Sequence, residues 1–440
     1  MLEPEDVDPN RPDKNGDGPL SWAAVKGDAG VVKLLLEWGD IDPNRQDIND
    51  LTPLGCAAIE GYVGVVKLLL EREDVDSNRS DRDGDGPLSW AAIKGHSGVV
   101  KLLLEHEGVD PNCQDNNDRT PLVCASIEGY EGVVKQLLER GDVYPNRQNG
   151  DDLTPHGCAA IQGHEGVVKL LLQREDVDPN HSDRNGDSSL SYAAIKGHAG
   201  VVKLLLERGD VDPNRQNEND LTPLGCAAIQ GHEGVVKLLL EREDVNPNHS
   251  DKNGDSSLSC AAIQGHAGVV KLLLGRGDLD PNRQNKNDRT PLACAAIEGH
   301  GGVVKLLLEP EDVDPNCSDN DGHGPLSCAA INGCEGVVKL LLEREDVDPN
   351  RPDKNGDGPL RWAAIYGHEG VVKLLLERGD VDSNLPRQHG SSVFSYPPKE
   401  GSRVLLLLQA RTSVETLGAS AMREPRWDAW KSLPPFFGKR

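Results

Sequence analysis

The chain has 440 residues, a net charge of −26, 2 Met, 3 Phe and only 3% aromatic residues. So few large rings argue against one big closed core, because aromatic side chains bury the most area; Leu, Val, Ile and Ala must do that work in many small layers. Residues 385–440 hold nine basic and four acidic side chains, so residues 1–384 carry −31, a charge that repels phosphate backbones and acidic lipid heads and favours basic protein partners.

The chain opens on Met1-Leu2-Glu3-Pro4-Glu5-Asp6, which lacks the basic and apolar regions of a secretory signal. Apolar runs such as Val404 to Leu408 fall far short of the ~20 residues that cross a bilayer. A cytoplasmic protein is expected, with a nuclear location left open. Residues 1–12 read as the end of a truncated repeat, since Met1 to Val7 matches Leu307 to Val313.

From there the tetrapeptide Val7-Asp8-Pro9-Asn10 recurs every 34 residues, at Ile41, Val75, Val109 and onward to Val381, so that eleven units fill residues 13–386. A fixed period of this length marks a repeat array. In the first unit, Asn15-Gly16 is a two-residue hairpin turn. Gly18-Pro19-Leu20 then opens a short helix, with proline in its first turn. That helix runs from Ser21 to Lys26, holds Ala23 and Ala24, and ends at Gly27 in a left-handed cap. A second helix from Ala29 to Trp38 presents Val31, Val32, Leu34, Leu35 and Leu36. Neither helix hides its apolar face alone, so each must pack on neighbours in a stack. Units alternate between Asn-Gly or Asp-Gly turns and Asn-Asp or Asp-Asp turns, because Asn and Asp tolerate the left-handed conformation.

These residues resemble the ankyrin repeat, whose pattern is matched at Thr222-Pro223-Leu224, Ala227-Ala228, Gly231-His232 and Val235 to Leu240. The resemblance implies an all-α repeat solenoid, a stack of units each made of a β-hairpin and a helix-turn-helix pair, that presents a concave binding face. The arrays most similar are the near-identical ones of filamentous fungi, which often follow a nucleotide-binding signalling domain. Two departures stand out. The family's histidine after Thr-Pro-Leu is replaced, for example by Gly55, Val123, Gly225 and Arg361, which puts the inter-repeat hydrogen bonds attributed to it in question. The period is also 34 rather than 33, with the extra residue expected in the Asp-Pro-Asn loop.

Past the array, residues 387–410 read as a degenerate capping repeat. Pro397-Pro398 replaces the Ala-Ala pair, while Leu405 to Leu408 keep an apolar second helix. Residues 411–440, with Trp427, Trp430, Phe436 and Phe437, form a basic tail without periodicity.

No constellation points to catalysis. Seven cysteines from Cys56 to Cys328 share one first-helix position with Trp22, Trp90, Tyr192 and Trp362; a buried packing role is expected there. Helices packed roughly 8–10 Å apart are too distant for disulfides, and no zinc spacing is present. The turns Asp13–Gly18, Asp81–Gly86 and Asp353–Gly358 begin like a calcium loop, but Ala24, Ala92 and Ala364 stand where its bidentate Glu is needed. Histidines such as His96, His164 and His232 follow the helix-ending glycine and are expected to cap or open the second helix. No enzyme, metal or cofactor is implied.

Two rows vary while the framework does not. The turn row includes Asp17, Leu51, Asp85, Arg119, Leu153, Leu221, Arg289 and His323; Leu51, Leu153 and Leu221 have no evident packing duty there. The row before the capping glycine includes Lys26, Glu60, Lys94, Glu128, Lys196, Glu298 and Tyr366. Both are expected to be exposed and to contact a protein partner. The main expectation is a non-enzymatic interaction scaffold. The alternative is the sensor part of a longer NACHT-type signalling NTPase.

Overall fold

A computed structural model describes residues 8–38 and 40–382. The capping repeat expected over 387–410, the tail from 411 and residues 1–7 lie outside the described residues. The chain divides into two compact units, Met1–Lys286 and Asn287–Arg440, and the same repeat builds both.

In the first unit, α1 (Pro19–Lys26) and α2 (Ala29–Leu36) form one repeat, and α3 (Pro53–Glu60) and α4 (Val63–Leu70) the next. Pro53 occupies the first turn of α3, and Thr52 caps it by accepting the Gly55 N–H at 3.1 Å. α3 ends at Gly61, which is left-handed at φ +79°, a conformation that glycine adopts without steric penalty. First helices pack on first helices and second on second, α1 on α3 and α2 on α4. Ala57 and Ala58 are fully buried and let α3 approach its neighbours closely, while Leu54, Val65, Val66 and Leu69 fill the space between layers. Each such Leu or Val contributes about 1.5–3 kcal/mol on burial. The second unit repeats this scheme, with Leu326, Ala329, Ala330, Val338 and Leu341 buried.

Among the described residues there are 22 helices and no strand, only the isolated bridges Ser182–Ser188 and Ser250–Ser256. The expected hairpin is therefore a turn without paired strands. Its first residue closes it: the Asp13 carboxylate accepts the N–H groups of Asn15 (2.8 Å) and Asp17 (3.1 Å), so the side chain takes the place of a second strand. The turn itself is left-handed at Gly16 (φ +80°) in one kind of repeat and at Asp50 (φ +62°) in the other, so both spellings reach one geometry. Successive turns are linked by one backbone bond, Ile48 N–H to Asn15 C=O (3.1 Å) and Arg82 N–H to Asn49 C=O (3.2 Å).

Three recurring side chains, present together at some joints and in part at others, clasp one repeat to the next. The asparagine of Asp-Pro-Asn uses both ends of its amide: Asn180 Nδ2 donates to Asp210 O (2.6 Å) and Oδ1 accepts from Asp212 N–H (2.9 Å). The histidine after the capping glycine reaches back, as His232 Nε2–H donates to Ile195 O at 3.0 Å. It occupies the N-cap of its helix but makes no side-chain cap bond, so the expected capping role gives way to an inter-repeat one. Glycine precedes it for a steric reason. A Cβ on Gly61 would lie 2.6 Å from the His96 ring in the next repeat. Third, an arginine after the second helix reaches a carbonyl 36 residues earlier: Arg140 to Leu104, Arg174 to Leu138, Arg242 to Leu206 and Arg344 to Leu308, at 2.8–3.0 Å. These bonds occupy carbonyls that the preceding helix leaves open at its C-terminus.

Candidate functional site

The two variable rows fare differently. Lys26, Glu60, Lys94, Glu128, Lys196, Glu298 and Tyr366 are all exposed, each at the C-terminal end of a first helix. The glycine cap fixes where that end points, so the row projects at every repeat from equivalent positions. Its members vary in sign and chemistry while the lysine of the second helix, such as Lys101, Lys203 and Lys339, is exposed and unchanging. Tyr366 stacks against Trp362 with ring centroids 6.0 Å apart, and Lys94 Nζ lies 5.8 Å from the Trp90 ring centroid.

The turn row is not a free surface, which corrects the expectation. Asp85 is buried, at 4% exposure, and Asp17, Leu51, Arg119, Leu153, Leu221, Arg289 and His323 are half-buried. Leu51 and Leu221 do have a packing duty: each folds back over the residue four positions on. A Cβ at Gly55 would lie 3.5 Å from Leu51 Cδ2, and one at Gly225 3.2 Å from Leu221 Cδ2. The variation is compensated within the turn. Leucine pairs with glycine (Leu51–Gly55, Leu153–Gly157, Leu221–Gly225) and aspartate with serine (Asp85–Ser89, Asp187–Ser191). Asp357 pairs with Arg361, carboxylate to guanidinium at 2.8 Å. This coupling at a spacing of four is visible in the amino-acid sequence and would have removed the turn row from the contact surface.

Charged members of the turn row bind their own framework. Arg119 Nε donates to Asp115 Oδ2 at 2.5 Å and Arg289 Nε to Asp319 Oδ2 at 3.3 Å. His323 stands between Asp319 (3.5 Å) and Asp353 (3.4 Å). Asp319, Asp321 and His323 bring three ligand atoms within 4.8 Å of one another. Asp319 already accepts the N–H groups of Asp321 and His323, and the Arg289 guanidinium beside it repels a cation.

The position shared by cysteine and aromatics splits as well. Cys56, Cys124 and Cys328 are buried, and burial pushes their thiols up to about 12, which keeps them protonated and poor nucleophiles. Trp22 is instead 43% exposed. The aromatic occupants bond to the turn-closing carboxylate, Trp90 Nε1 to Asp81 Oδ2 at 2.9 Å and Tyr192 OH to Asp183 Oδ2 at 2.6 Å. Between the turns at Asp81 and Asp115 these side chains leave a cavity of about 510 Å³, lined by Asp83, Asp85, Trp90, Asn117, Arg119 and Glu128 among others.

No helix among the described residues is long and apolar enough to cross a membrane. A family model described as ankyrin repeats (3 copies) matches the chain in overlapping stretches, residues 1–81, 73–149, 134–217, 156–250, 208–285, 234–319, 277–353 and 302–387. None of the curated proteins compared matches the chain.

Proposed function

The chain belongs to the ankyrin-repeat family, whose repeats are protein-interaction modules, and from that premise we propose that it is a non-enzymatic scaffold that holds a protein partner along the first-helix ends. One observation carries this reading. The exposed row from Lys26 to Tyr366 varies along the array through Lys, Glu, Gln, Asn and Tyr, while the clasps and core around it repeat almost unaltered. A surface that reads a partner needs such variation on a fixed frame, because specificity comes from differences between positions. The buried thiols with raised pKa and the histidines that bond to neighbouring repeats support a structural rather than a chemical role for those two rows. The strongly acidic first 384 residues favour a partner with a basic surface.

Site-specific photo-cross-linking tests it. A cross-linker at Glu128 or Tyr366 is expected to capture one and the same protein from a lysate, and a cross-linker at Lys203 on the second-helix face is expected not to. Equal capture from both faces, or capture from neither, contradicts the reading.

A further inference from the structure

The cavity between the turns at Asp81 and Asp115 holds a carboxylate whose surroundings differ from those of Asp187 and Asp255. In later repeats the turn aspartate, half-buried at Asp187 and buried at Asp255, receives an amide from the next repeat: Asn217 Nδ2 donates to Asp187 Oδ1 at 2.9 Å, and Asn285 Nδ2 to Asp255 Oδ1 at 2.7 Å. At Asp85 the residue in the asparagine's place is Asp115, which has no proton to give. Asp85 is 4% exposed and its Oδ1 has no hydrogen-bond partner, a costly state for a buried acceptor. Burial, then the Asp115 and Asp81 carboxylates, push its pKa up to about 6.

The surroundings ask for a cation. Asp83 and Glu128 add two carboxylates to the lining. The Arg119 guanidinium closes on Asp115 at 2.5 Å and also attracts Asp85, but it offsets only part of the burial and of the repulsion from Asp115 and Asp81, since the Asp85 pKa stays raised. Trp90, pinned through its Nε1 to Asp81, offers an indole wall that already attracts the Lys94 ammonium. Cys124 in the floor is an uncharged thiol. We propose that this cavity receives one lysine or arginine side chain of a protein partner, with Asp85 as its counter-ion, the donor that Asn217 supplies to Asp187 coming here from outside. A half-turn about the terminal torsion of Asp85 exchanges its two oxygens, so either can meet the ligand. The proposal deepens the interaction reading above and rests on it.

The probes are the peptides Gly-Ser-Arg-Ser-Gly and its lysine and citrulline forms, added to the full chain and followed through the Trp90 indole N–H resonance. That resonance is assigned with Trp90→Phe, and its retention reports that a variant is folded. At pH 7.5 the arginine and lysine peptides should shift it saturably and the citrulline peptide should not. Asp85→Asn should weaken the affinity at least tenfold. So should Asp115→Asn, which restores the internal amide donor seen at Asn217. Lowering the pH to 5.0 protonates Asp85 and should weaken wild-type binding toward the Asp85→Asn value. Equal affinity for citrulline, no saturable shift, or binding indifferent to Asp85 overturns the proposal. Because Tyr366 is not part of this cavity's lining, a failed peptide assay with intact cross-linking there sinks this site alone. Intact peptide binding with failed cross-linking sinks the scaffold reading instead.

Discussion

His156 is the plainest single misfit in the array. It stands where the neighbouring repeats carry Leu122 and Leu190, fully buried, with Nδ1 at 2.8 Å from Thr154 Oγ1 and Nε2 turned to the Pro179 backbone without a well-formed hydrogen bond. Burial holds its pKa down to about 4. The folded state therefore binds fewer protons than the unfolded chain between roughly pH 6.5 and pH 4. Stability conferred by the neutral ring is present above pH 6.5 and is lost as pH falls toward 4. His156→Leu should raise stability at pH 7 by about 1–3 kcal/mol, the cost of one unsatisfied buried polar group, and by more at pH 5; urea titrations at both pH values check it. An unchanged or lower midpoint contradicts this account. At this scale the sequence was legible wherever one residue answers to its own backbone: Gly27 (φ +71°) and Asp50 (φ +62°) sit where their chemistry places them. The turn row was misjudged because burial there depends on a partner four residues away, and a row scanned one position at a time hides the pairing of Leu51 with Gly55 or Asp357 with Arg361.

At the scale of the element, the periodic pattern identified both helices and their caps, since apolar spacing and Pro and Gly act locally. It did not show what joins one repeat to the next. Those bonds run to residues 30 to 37 positions away, as in Asn180 to Asp210, Arg242 to Leu206 and His232 to Ile195. The recurrence of Asn, Arg and His at fixed positions was the signal, and its cause is the carbonyl or amide that each meets across the joint. This also answers the missing histidine of Thr-Pro-Leu-His: the Gly-His pair supplies inter-repeat bonds from another position. Arg208, like Arg276, makes three such contacts, among them Nη1 at 3.0 Å from Leu172 O and Nη2 at 3.0 Å from Val177 O. Arg208→Met keeps much of the stem but leaves those carbonyls unanswered. It should lower stability by about 1–3 kcal/mol, whereas Lys203→Met on the exposed face of the same helix should change it by less than about 0.5 kcal/mol. Thermal melts of the two variants decide between a clasp and an ornament: equal effects would deny the arginine its role.

For the molecule, the division of labour is the claim. Clasps and small-residue cores hold equivalent repeats in equivalent geometry, and that uniformity frees one exposed row to vary along the array. The first described repeat marks the limit of the scheme: Val31 (42%), Leu34 (64%) and Trp38 (52%) are exposed, whereas Val65, Val99 and Val201, one or more periods on from Val31, are covered by a preceding repeat. Trp38 stands where most later repeats place the clasping arginine, so its repeat lacks that reach. The acidic charge adds range rather than register, because screening at 0.15 M salt limits exposed charges to about 8 Å. The most direct measurement replaces Glu60, Glu128, Glu298 and Tyr366 together by alanine and compares, in the same preparation, the urea midpoint and the affinity for the protein captured at Tyr366. A preserved midpoint with affinity reduced at least tenfold is the predicted result. Unchanged affinity, or loss of the fold along with the binding, would contradict it.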